Sequence, residues 1–379
     1  MGPIDAPRLD AATDAPGDDA GMDIGSCHVQ TPEDLLLVAT DTTPRDRIVA
    51  VAAGSAEWAI AFSRAEMGIQ NVYWALVPTS TDGTIANAVT TGFSIAEEPA
   101  VTRTTDGWLV AWMSNMPGSF EIFAQGFATD ARPLLTPTRL TTNTSRDDGP
   151  ALVRMGSEVL AAWVETTASA REIRTRRLRA SGDALAAATS VDVSPHSPSF
   201  PVLSTRLDGA ALAFGSTDAV MVGLDGSGAR VVPPAVLSAE GNVASSADLA
   251  LDASGGAIVF DVRVDVRPEV RALLLDAAGA ALGPERVILL SPDAGNGASL
   301  TQFAGGYALA YRALEVTPPM IRVLFLGPDL EEAGRLDIAS GTTGARTTIR
   351  ASGDGRLLVA WADNDGTETD IRAARIRCD

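Results

Sequence analysis

Along the chain, short apolar runs alternate with clusters of Gly, Asp, Ser and Thr, and no stretch sustains the 3.6-residue period of a helix. The run "WLVAW", ending at Trp112, sets the template. Runs of the same kind end in an aromatic at Phe62, Trp112, Trp163, Phe214, Phe260, Tyr311 and Trp361, at spacings of 50, 51, 51, 46, 51 and 50 residues. Thirteen residues before each aromatic another strand begins, at Val49, Pro99, Pro150, Pro201, Ala247, Ala298 and Thr348. A Gly- or Asp-rich turn separates the two, as at Asp106-Gly107 and Asp208-Gly209. Glycine there supplies the positive φ of a tight hairpin. A third strand follows in each unit ("FEIFAQGF", "EIRTRRL", "AVMVGL"), then a turn and a short fourth strand.

Seven copies of a four-stranded unit predict an all-β fold, a seven-bladed β-propeller. The seventh unit ends after its third strand, at Ile376. Its missing outer strand is expected from "LLLVATD" (35–41), which closes the ring with the N-terminus. Cys27 lies just before that strand and Cys378 just after the last one, so closure brings the only two cysteines together. A Cys27–Cys378 disulfide is therefore expected, and with it an oxidising compartment.

Composition refines this picture. All 29 basic residues are arginine, which excludes a P-loop, a Schiff-base lysine and a Ser-Lys dyad. A net charge of −19 argues against nucleic acid or anionic membrane as partner. No apolar run is long enough to span a bilayer. Residues 1–26 hold six Asp, one Arg and no aromatic, the signature of a disordered acidic linker ahead of a propeller over 27–379. That tract resembles the linker behind the lipidated cysteine of bacterial surface lipoproteins, which implies an extracytoplasmic protein, secreted, periplasmic or surface-tethered.

Units two and seven, "DGWLVAWMSNMPGSFEIFAQGF" and "DGRLLVAWADNDGTETDIRAARI", resemble the repeats of TolB-type propellers. In those, a D-G turn, an apolar strand ending in an aromatic, a polar loop and an "EI" strand follow in that order. The units resemble neither Trp-Asp repeat propellers nor sialidases. The "S-x-D-x-G-x-x-W" box is absent, because Asp106 and Gly107 are adjacent.

Candidate chemistry gathers at the channel mouth. Two residues before each inner-strand start stand Arg47, Glu97, Asp148, Ser199, Ser245, Asn296 and Arg346, polar in every blade. Arg47 and Arg346 facing Glu97 and Asp148 could hold a zwitterion, a sugar acid or a peptide tip. Asp261 and Arg312, each just after the strand-end aromatic of adjacent blades, form a second pair. With Glu98 and Asp147 beside them, carboxylates are numerous enough for acid–base hydrolysis. In "DNDGTETD", Asp363, Asp365 and Asp370 have the character of a Ca²⁺ loop but not its full spacing, and no other cofactor is indicated. Isolated His28 and His196 do not make a zinc site. Trp58, Trp108 and Tyr307 read as packing between blades. The short "GSTD" loop after Phe214 leaves a notch in the rim at blade four.

The function expected from these features is a non-catalytic, monomeric binding module for a cell-envelope protein, peptide or glycan. The alternative is a polysaccharide-active hydrolase or lyase using carboxylates at the mouth.

Overall fold

The computed structural model describes residues 27–29, 35–41, 49–66, 69–79, 85–89, 95–115, 118–239, 247–264, 267–290, 297–314, 316–340, 347–364 and 369–378. Residues 1–26, the predicted linker, lie outside them. Seven antiparallel sheets follow one another along the chain. Their inner strands are Val49–Ala53, Ala96–Arg103, Arg146–Met155, Ser199–Arg206, Ala247–Asp252, Ser299–Phe303 and Thr347–Ala351. Every sheet has four strands in sequence order from the channel outward, except the seventh.

Blade seven closes the ring. Leu35–Asp41 pairs with Thr369–Cys378, Leu35 opposite Ala374, and the short strand Cys27–His28 continues along the same edge. Cys27 stands directly across from Cys378, their Cα atoms 3.9 Å apart, and the two form a disulfide.

The core is divided among the interfaces between blades. Seven apolar clusters each join one blade to the next. Alternation along the second strand serves two of them at once. Trp58, Ile60 and Phe62 pack toward blade seven, whereas Ala59 and Ala61 pack toward blade two. A strand buried on both faces must be apolar at every position, which is why "WLVAW" reads as a continuous run. Trp58, Trp74, Trp108, Trp112, Trp163 and Trp361 are all fully buried, so the aromatic repeat is a packing device.

Candidate active site at the channel mouth

The inner strands of blades two, three and four enter the channel through the same irregularity. Their pairing slips between Glu97 and Ala100, between Asp148 and Ala151, and between Ser199 and Val202. At each slip a residue with positive φ precedes a proline: Glu98 (φ 52°), Gly149 (φ 61°) and Phe200 (φ 41°) ahead of Pro99, Pro150 and Pro201. Proline has no N–H for the ladder, so it belongs at a bulge. A glutamate and a phenylalanine in the left-handed region carry strain of about 1–3 kcal/mol each.

The bulges join blade to blade. Glu98 Oε2 accepts a 2.6 Å hydrogen bond from Gly149 N of the next blade. Burial pushes the Glu98 carboxyl above the usual carboxylate range; the Gly149 N–H opposes this, and the charges of Asp148 and Glu97 add to it. Asp148, immediately before Gly149, lies between two guanidiniums, Arg146 Nε at 2.9 Å and Arg171 Nη2 at 3.6 Å. Arg146 is itself seated over the Phe120 ring. Glu97 accepts from Gln70 Nε2 at 3.1 Å.

Behind these groups lies a buried acidic cluster between blades two and three. Asp147 is fully enclosed, accepting from Trp163 Nε1 and Asn143 Nδ2, both at 3.0 Å. Burial is the main reason its pKa is pushed up to about 6; hydrogen bonds from Thr141 and Asn143 oppose the rise, and the charges of Glu165 and Glu121 reinforce it. Glu121, also fully enclosed, is held by Arg139 Nη2 at 2.7 Å and Thr141 Oγ1 at 2.5 Å. Glu165 takes Arg174 Nε at 2.5 Å.

The other predicted residues fall elsewhere. Arg47, Arg346 and Asp365 lie outside the described residues. Asp261 is buried and accepts from Gly297 N at 3.2 Å, at the start of the blade-six inner strand. Arg312 sits one blade further on, in the second strand of blade six. Asp363 and Asp370 oppose each other across a hairpin, and both are bound by Arg372, at 3.2 and 2.5 Å. A cation there would have to displace that guanidinium. Among the described residues no group of three or more His, Cys, Asp or Glu could hold a metal ion.

Arg372 belongs to a series that the sequence reading missed. Arg174, Arg271, Arg322 and Arg372 stand opposite the strand-end aromatics Trp163, Phe260, Tyr311 and Trp361. Each is held by an acid, as Arg271 is by Glu269 at 2.8 Å and Arg322 by Asp337 at 2.6 Å. The signal in the sequence is an arginine at one fixed offset from the strand-end aromatic in four units.

No protein-family model matches this chain, and no curated protein sequence does. Solved structures do. A mutant of the NanB sialidase from Streptococcus pneumoniae matches over 91% of this chain and 70% of its own, with a TM-score of 0.53 and 8% identity. A neuraminidase-like protein of A/flat-faced bat/Peru matches over 90% of each chain, with a TM-score of 0.50 and 10% identity. The likeness is one of fold. These neighbours are not TolB-type rings, so the seven-bladed propeller stands while the TolB-type family is not confirmed. A Gly-containing turn and an aromatic-ended strand recur in all seven blade hairpins of this chain. The same neighbours also correct the expectation of a non-catalytic binding module, since the solved structures that share this fold are named as a sialidase and a neuraminidase-like protein.

Proposed function

We propose that this propeller is a polysaccharide-active hydrolase working at the channel mouth, with Glu98 as general acid and Asp148 as its partner carboxylate. The observation that carries the reading is the contrast between the two. Glu98 is held in a strained backbone conformation where burial favours its protonated form. Asp148 is flanked by two guanidiniums. Two neighbouring carboxyl groups in opposed environments are the arrangement that glycosidic hydrolysis uses, one to protonate the leaving oxygen and one to face the developing positive charge. The sialidase and neuraminidase-like names of the structural neighbours agree with a glycan substrate. So does a location outside the cytoplasm, which the disulfide supports. No helix among the described residues is long and apolar enough to cross a membrane.

The test is release of reducing ends from a panel of plant, microbial and envelope polysaccharides. Glu98→Gln should lower the rate about 10²–10⁴-fold, the range for losing a general acid. Because Glu98 must be protonated to act, wild-type activity should fall as pH rises through its elevated pKa. Unsaturated ends in place of hydrolysed ones would assign the lyase form. No product from any substrate, or an unaffected Glu98→Gln variant, would sink the proposal.

A further inference from the structure

The channel is divided at one level of the ring. Two residues after Val49, Pro99, Pro150, Pro201, Ala247, Ala298 and Thr348, six blades carry Val or Leu, among them Val51, Val101, Leu152 and Leu203, and the seventh carries Arg350. These four apolar residues and Arg350 border two cavities, an upper one of about 210 Å³ toward the mouth and a lower one of about 470 Å³. Ligand pockets occupy about 300–1,000 Å³, so the lower chamber alone has the capacity of one.

Its chemistry departs from that of the rest of the molecule. On a chain of net charge −19, the lower chamber is lined by Arg103, Arg154 and Arg350 and by no carboxylate. Thr102, Ser204, Thr205, Thr301 and Gln302 also border it; of these, Ser204 Oγ already bridges the Leu251 backbone and the Gln302 amide donates to Gly255 O. The acids that balance the arginines stand outside. Asp248, bonded to Arg350 Nη1 at 3.2 Å, borders only the upper chamber, and Glu57, 3.2 Å from Arg103 Nη1, borders neither.

Guanidinium donors remain available. Arg154 uses only Nε, toward Gly156 O at 2.8 Å, and neither of its terminal nitrogens has a partner among the described residues. Arg350 concentrates its bonds on Nη1, toward Asp248, Ser299 Oγ at 3.1 Å and Ile349 O at 2.7 Å. Its Nη2 has a single contact, 3.4 Å to Asp248 Oδ1. A guanidinium fork matches carboxylate and phosphate oxygens, and bordering threonines can supply hydroxyl partners for a sugar.

We propose that the lower chamber is a second binding site, for a small polyhydroxylated anion: a sugar ring bearing one carboxylate or phosphate group. The inner strands run from Pro99 and Pro150 at the mouth to Arg103 and Arg154 at the far end, so this site is separate from Glu98 and Asp148 and does not depend on their role.

Calorimetric titration of the whole chain tests this, with D-glucuronate, glucose 6-phosphate, glucose and inorganic phosphate as probes. Saturable binding of either sugar anion, one per chain and tighter than inorganic phosphate, is expected, with none for glucose. Arg154→Gln, at an exposed side chain, should weaken it about tenfold. Asp248→Ala with Arg350→Leu restores the pattern of the other blades without stranding a buried charge, and should abolish binding while the thermal transition persists. Glu98→Gln should leave binding unchanged, which separates this site from the mouth. No saturable binding of either sugar anion, equal binding of glucose or of inorganic phosphate, or binding that survives in both arginine variants would overturn the proposal.

Discussion

Blade seven and the junction of blades two and three treat stability in opposite ways. In blade seven the chain ends meet, and everything there adds hold: a borrowed outer strand, a second short strand and the Cys27–Cys378 bond. At the junction of blades two and three, side chains that disfavour folding are accepted. Glu121 and Asp147 are fully buried, and Glu98 adopts a left-handed conformation. Buried acids and strained backbone persist where the surrounding fold over-determines them, and they concentrate at sites of chemistry. A ring locked at one point can tolerate such a cost at another.

Breaking the lock should have the largest effect. The disulfide closes a loop 351 residues in separation, and Cys378→Ser should lower the unfolding free energy by on the order of 5 kcal/mol. Urea titration with and without reductant measures it, and intact mass should differ by two hydrogens between the two. An unchanged midpoint would mean that strand pairing alone holds blade seven.

Relaxing the acidic junction should act in the other direction. Asp147 has its folded pKa raised to about 6 from 3.8. The folded protein therefore binds the extra proton between these values, and the stability that this proton confers is present at low pH and lost as pH rises from about 4 to 6. Asp147→Asn should then stabilise the protein at pH 7 by up to about 3 kcal/mol, with the gain vanishing below about pH 4. A variant whose gain is the same at all pH values would show that ionisation is not the cause.

The smallest effect distinguishes two equivalent tryptophans. Trp163 donates its indole N–H to Asp147, whereas the N–H of Trp112 has no partner among the described residues, because Ala96 occupies the corresponding place. Both side chains are fully packed. Trp163→Phe should cost about 1 kcal/mol more than Trp112→Phe, since only the former leaves a buried carboxyl short of a donor. Equal costs in denaturant melts would remove the hydrogen bond from the account.

The blades, the closing strand and the disulfide were legible in the sequence because each rests on local rules. Alternation marks a strand, Gly marks its turn, and a unit missing its fourth strand must borrow one. The site was legible only in part. Glu97 and Asp148 stood out as acids in a polar series, but nothing in "EEPA" or "DDGP" says that Glu98 reaches the next blade or that Asp147 is sealed beneath Trp163. Asp363 and Asp370 carry the side chains of calcium ligands, and nothing in "DNDGTETD" says that both contact Arg372.

A repeat of about fifty residues, written in apolar alternation and turn chemistry, by itself determined a seven-bladed ring, its closure and its covalent clamp. Side-chain environment was decided by the tertiary structure. Arg350 meets Asp248 from 102 residues away, and Glu98 meets Gly149 from 51. Burial and charge depend on which blades become neighbours around the channel, and those distances do not appear in the local pattern of any one blade.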